Sequence, residues 1–213
     1  MGSMNTAAIG VSIHSGWGAV VAISGRRGME EVLHRSRVVI IDSKVAGSVQ
    51  PYHYIVKKQL RAAETHLTRC SADSHRLSLE ALTQVADDLR KQGFVLVSAA
   101  ILLSSARPLP DLEGILASHA LIHTAEGEFF RQAFRGAFEH LKIPVTGIRA
   151  RDLDDCAAKT FGKAAPAIQK RIDGLGRSVG APWTKDEKTA ALAATIVLAG
   201  AQSKAHAAHS SGS

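Results

Sequence analysis

Ala8-Ile-Gly-Val-Ser-Ile-His-Ser-Gly-Trp-Gly-Ala-Val-Val-Ala-Ile23 is the stretch whose reading decides the fold. It divides at Ser15-Gly16, a corner glycine can turn, into two apolar segments rich in β-branched residues. Strands are expected at Ile9–His14 and Trp17–Ser24. Gly25-Arg26-Arg27-Gly28 makes the next turn, and Val32–Ile41 reads as a third strand ending at Asp42. Strands joined by such short turns are antiparallel neighbours. The quoted stretch contains no Asp and no Glu.

After Pro51 the apolar residues change to helical spacing. Ile55, Leu60, Ala63 and Leu67, then Leu77, Leu82, Val85 and Leu89, predict helix from Tyr52 to Gln92, with a break expected at Ser71–Ser74. Phe94–Leu103 is almost uniformly apolar, as in a strand covered on both faces and reached by a helical crossover. Helix is expected over Asp111–His140, interrupted near its glycines, and a short strand over Pro144–Arg149. Two short helices then lead to a glycine-rich connector. Thr184 with Glu187 three residues on has capping-box spacing, opening a last helix to about Ala201. The reading is one α/β domain over residues 4–203. Met1-Gly2-Ser3 reads as a cloning remnant and residues 204–213 as a disordered tail.

The 213 residues are 46% hydrophobic and 21% charged, the balance of a globular protein. Cys70 and Cys156 are the only cysteines, which points to a reducing compartment without a disulfide framework. No secretory signal is visible, and the longest apolar runs are too short to cross a bilayer. A cytoplasmic protein with no membrane partner is expected.

The net charge of +7 favours polyanions as partners. Between Arg26 and Arg69 stand nine Lys or Arg against four acids. Arg26, Arg27, Lys57 and Lys58 are the candidate nucleic-acid contacts, with Trp17 as a stacking residue. A solvated basic face, with Trp17 in strand packing, is the plain alternative, because few aromatics interleave the bases.

His119, His123 and Glu126 fall at i, i+4 and i+7, one face of a continuous helix and a workable divalent-metal spacing. Glu128 and His14 join the candidate set if the fold brings them close. The competing reading makes Thr124 the cap of a new helix, with Glu126 facing its dipole. Ser12 and Ser15 beside His14 do not form a nucleophile elbow, and no Walker sequence occurs.

The order β-β-β-α-β-α-β-α resembles that of the ribonuclease H-like superfamily. Gly10-Val-Ser-Ile-His-Ser-Gly-Trp-Gly-Ala-Val-Val21 and Glu187-Lys-Thr-Ala-Ala-Leu-Ala193 are similar to the first hairpin and last helix of the RuvC-type Holliday junction resolvases. The resemblance implies a three-layer fold with a mixed five-stranded sheet and helices on both faces. It also implies a nuclease site in which carboxylates from strand one, strand four and the last helix hold two Mg²⁺ ions. Here the strand-one position falls on Ser12, strand four has no acid, Glu187 matches the first helix acid and Ala190 replaces the second.

The expectation is therefore a ribonuclease H-like protein that binds nucleic acid without two-metal cleavage. No resident cofactor is expected, Mg²⁺ or Mn²⁺ is left open as an ion, and a homodimer is left open as an assembly. The alternative is a metal-dependent hydrolase or nuclease with a relocated site drawn from His14, His119, His123, Glu126, Glu128 and Glu187. A third reading is an interaction subunit using the Phe129–Phe138 helix face.

Overall fold

The computed structural model describes residues 5–104 and 108–210, so the leading Met1-Gly2-Ser3 lies outside it. Strands β1 (Asn5–His14), β2 (Trp17–Ser24) and β3 (Glu31–Val39) form an antiparallel meander, with Val11 opposite Val20 and Val20 opposite Ser36. Gly16 turns the first corner at φ +79°, in the left-handed region that favours glycine, and its carbonyl accepts from Ile40 N at 2.9 Å.

Helices α1 (Pro51–Ile55) and α2 (Leu60–Lys91) carry the chain to β4 (Phe94–Leu103), which runs parallel to β1. Helices α3 (Leu112–Leu116) and α4 (His119–His140) then lead to β5 (Val145–Arg149), parallel to β4. Three short helices follow, α5 (Leu153–Phe161), α6 (Ala165–Gly174) and α7 (Gly176–Val179), before the long α8 (Lys185–Ser210). The sheet order is β3-β2-β1-β4-β5, as expected of the ribonuclease H-like arrangement.

Period-two alternation along β1 and β2 divides the core in two. Ala8, Val21, Ile23, Ala100 and Leu102 face α5, α6 and α8. Ile9, Val11, Val20, Ala22 and Ile101 face α2 and α4. Helix α8 lies so close to β1 that a Cβ on Gly10 would stand 1.9 Å from the Ala190 carbonyl oxygen. The alanine run Ala190, Ala191, Ala193 and Ala194, all fully buried, permits this approach.

Four expectations are corrected. Helix α2 does not break at Ser71–Ser74: Ser74 and Ser78 are buried, and Ser78 Oγ donates back to Ser74 O at 2.7 Å. Helix α4 runs through Gly127 and Gly136 without interruption. Of residues 204–213, expected as a disordered tail, 204–210 continue α8 and 211–213 lie outside the described residues. The Phe129–Phe138 face is no free docking surface, because Phe130, Phe134 and Phe138 are completely buried against the sheet. Among the described residues no helix is long and apolar enough to cross a membrane.

Candidate functional site

Chemistry-bearing side chains gather at the edge of the sheet where β1 ends and α8 begins. The capping box forms as its spacing predicts: Glu187 Oε2 accepts from Thr184 N at 2.6 Å, and Glu187 N donates to Thr184 Oγ at 3.2 Å. The other Glu187 oxygen lies 3.4 Å from Arg35 of β3. Arg35 also donates to Val179 O at 2.9 Å and to Pro182 O, tying the connector to the sheet. Glu187 is thus committed to the helix start.

The row of α8 that faces β1 is 186, 190 and 194, since Ala190 and Ala194 are the residues meeting Gly10. The acid presented to β1 is therefore Asp186. Its Oδ1 accepts from Ser12 Oγ at 3.1 Å and lies 3.0 Å from His14 Nε2. His14 stacks on Trp17 with ring centres 4.3 Å apart and planes 10° from parallel. From the other neighbouring strand the Arg37 guanidinium lies 3.9 Å from the centre of the Trp17 ring. Trp17 is accordingly half-buried between His14 and Arg37, and a base could stack on it only by displacing one of them. Arg37 is exposed and makes no ion pair among the described residues.

The two-metal carboxylate set of this fold family does not fit these residues. Strand β1 brings Ser12 and His14, the end of β4 brings Leu102 and Leu103, and α8 brings Asp186 alone. Hard divalent ions need several oxygens converging on one point.

The predicted basic contacts do not form one face. Arg26 and Arg27 sit in the β2–β3 turn, at the opposite edge of the sheet from His14. Arg27 is spent on the Phe161 carbonyl, with its guanidinium 5.8 Å from the Phe161 ring. Lys57 and Lys58 are exposed just after α1, beyond the edge where β3 and β1 end, and Lys58 Nζ lies 4.3 Å from the Tyr54 ring.

A second cluster joins α1 to the start of α4. His53, His119 and His123 bring one imidazole nitrogen each within 4.8 Å of the others. Glu126 does not join them directly. Its Oε1 accepts from Tyr52 N at 2.9 Å and His53 N at 3.1 Å, and lies 3.1 Å from His53 Nδ1. Burial pushes the Glu126 carboxyl upward, against the opposing pull of these His53 and Tyr52 contacts. Burial, and then the nearby Glu126 charge, likewise raises the Tyr52 phenol. Glu128 points elsewhere: it accepts from Gln132 Nε2 at 2.7 Å and lies 3.8 Å from Arg131. Thr124 is no cap, since its hydroxyl donates to Ala120 O at 3.0 Å inside the helix. His14 belongs with Asp186 and not with this trio.

Sequence reasoning missed Asp186, Arg37 and His53. Arg35 and Arg37 at i and i+2 of a strand were a usable signal for one basic face. Pro51, which stands at the start of α1, marks the short helix that carries His53. Cys70 likewise has an unforeseen neighbour, His66 Nε2 at 3.4 Å, but burial raises its thiol, which disfavours the reactive thiolate.

The architecture is an α/β fold with a mixed five-stranded sheet. No family model matches the chain, and no curated protein matches its sequence. Solved structures do match. The Thermus thermophilus RuvC in complex with its Holliday junction substrate is 12% identical, with a TM-score of 0.53 over 93% of this chain and 96% of that one. Another Thermus thermophilus RuvC structure gives 11% identity and a TM-score of 0.52 over the same shares. The yeast mitochondrial Holliday junction resolvase Ydc2 gives 11% and 0.48 over 93% of this chain and 80% of its own. The fold is ribonuclease H-like, of the RuvC type.

Proposed function

We propose that the protein binds nucleic acid at the edge formed by β1, β3 and the start of α8, and does not cut it by a two-metal mechanism. The observation that carries this reading is Arg37, exposed and without an ion pair among the described residues, on the Trp17 ring beside a site where one carboxylate stands in place of an acidic cluster. A net charge of +7 supports a polyanionic ligand. The similar RuvC structure was solved with a Holliday junction, so branched DNA is the first ligand to try. Lys57 and Lys58 extend the same edge, and Arg26 and Arg27 stand outside it.

The test is a salt series of binding to single-stranded, duplex and four-way DNA and to RNA, with Mn²⁺ present and the products resolved on a gel. Salt-sensitive binding without cleavage is expected. Arg37→Ala weakens it for all sequences alike and lowers the salt slope by about 1. Lys57→Ala with Lys58→Ala also weakens it, whereas Arg26→Ala with Arg27→Ala does not. Affinity unchanged by Arg37→Ala overturns the assignment of this edge, and Mn²⁺-dependent cleavage overturns the absence of catalysis.

A further inference from the structure

The His53, His119 and His123 cluster is not explained by packing. His119 and His123 are exposed at one-turn spacing on α4, and His53 is half-buried on α1. None of the three ring pairs is stacked: the planes meet at 62° for His53 with His123, 82° for His53 with His119 and 85° for His119 with His123. The rings meet edge to face, and one nitrogen of each lies within 4.8 Å of the others.

The second observation is Glu126. A buried carboxylate is costly unless it is paired or hydrogen-bonded. This one stands 5% exposed, with no Lys or Arg partner among the described residues. It is spent on the N–H groups of Tyr52 and His53 and on His53 Nδ1. A carboxylate on Nδ1 fixes the tautomer with its proton there and leaves Nε2 as the lone-pair nitrogen. Metal-ligating histidines are held in this way, their second nitrogen donating to a carboxylate or carbonyl that sets the ring's orientation.

We propose that His53, His119 and His123 bind one divalent transition-metal ion of zinc-like character, with Glu126 as the positioning residue for His53. Three imidazoles leave a tetrahedral ion one position for water or another oxygen ligand. Tetrahedral bonds of about 2.0–2.1 Å set the ligand nitrogens about 3.4 Å apart. The present limit of 4.8 Å closes to that by rotation of the two exposed rings. Imidazole nitrogens, borderline donors, select this class of ion over Mg²⁺, which takes oxygens. The site shares no residue with the proposed nucleic-acid edge, so the two readings stand or fall separately.

The test uses the full chain, stripped with a chelator and titrated with Co²⁺ and Zn²⁺. The expected result is one tight equivalent per chain, a visible Co²⁺ spectrum of tetrahedral type and a melting temperature raised by Zn²⁺. His119→Ala with His123→Ala, both at exposed positions, abolishes all three signals, whereas His206→Ala on the exposed end of α8 leaves them intact. Glu126→Gln keeps the stoichiometry and weakens affinity by about 10–100-fold. No tight equivalent, or one that survives His119→Ala with His123→Ala, overturns the site. Unchanged affinity in Glu126→Gln overturns the role given to Glu126.

Discussion

Ser12 Oγ donates to Asp186 Oδ1 at 3.1 Å across a separation of 174 residues. The contact joins the central strand to the last helix, and the same carboxylate oxygen holds His14. Among the described residues, Asp186 is the acid at this junction that the capping box leaves free. If this edge receives phosphate, Asp186 opposes it. Asp186→Asn should therefore tighten nucleic-acid binding about threefold at low salt, with the gain shrinking as ionic strength rises. Its effect on stability should be about 1 kcal/mol or less, because Asp186 and His14 are both partly exposed. Fluorescence anisotropy at two salt concentrations measures the first effect and urea unfolding the second. Affinity that does not respond to Asp186→Asn would place the phosphates elsewhere.

Two glycine substitutions should act with opposite signs. At Gly10 a new methyl would meet the Ala190 carbonyl at 1.9 Å, a backbone contact that no side-chain rotation relieves. Gly10→Ala has to push α8 off β1 and should cost about 3 kcal/mol or more. Gly200, in the same helix, has nothing within 4 Å of its would-be Cβ. Gly200→Ala should stabilise by about 0.5–1 kcal/mol through helix propensity. Equal melting temperatures for the two variants would contradict the close seating of α8.

Much of this packing was legible in one dimension. Strands β2 and β4 were read at their observed bounds, because strands covered on both faces are apolar throughout. The start of β1 was placed too late, since Asn5-Thr6-Ala7-Ala8 has little strand character of its own and is held by pairing with β4, joined by β2 from Ala7 on. The serines at 71 and 74 and the glycines of α4 looked like breaks, but burial and helix pairing override weak local preferences. Helical spacing found His119, His123 and Glu126. It could not find His53, which a different helix delivers after the whole of α2 and β4 have intervened. The choice between Asp186 and Glu187 turned on the helix start: a capping box uses the residue at its third position and leaves the one before it to face the strand.

That cap makes its own prediction. Glu187 satisfies Thr184 N, fixes its hydroxyl and reaches Arg35, which in turn holds the connector through Val179 and Pro182. Glu187→Ala should cost about 1–2 kcal/mol, and Thr184→Ala about 1 kcal/mol. Because the two act through one device, the double variant should cost less than the sum of the singles. Additive losses in denaturant melts would show that Glu187 stabilises through Arg35 alone.

The last prediction concerns acid. His34 on β3 is sheltered, with Nε2 2.8 Å from Ser36 Oγ. Burial lowers its pKa, and Asp88 of α2 offsets this only in part. His66 is shifted the same way, by burial and then by Lys58 and Arg69. For a lowered histidine the unfolded chain takes up a proton at a higher pH than the folded one does. Stability is therefore intact above the ordinary histidine pKa of about 6.5 and falls as pH drops below it, until the folded group titrates as well. Unfolding free energy followed from pH 7.5 down to pH 5 should slope downward. His34→Gln should flatten that slope, and His34→Gln with His66→Gln should flatten it further. The comparison belongs on chelator-treated protein, because a metal held by the α1–α4 histidines would add a pH dependence of the same sign. Parallel curves for wild type and both variants would show that neither ring is kept from its proton by the fold.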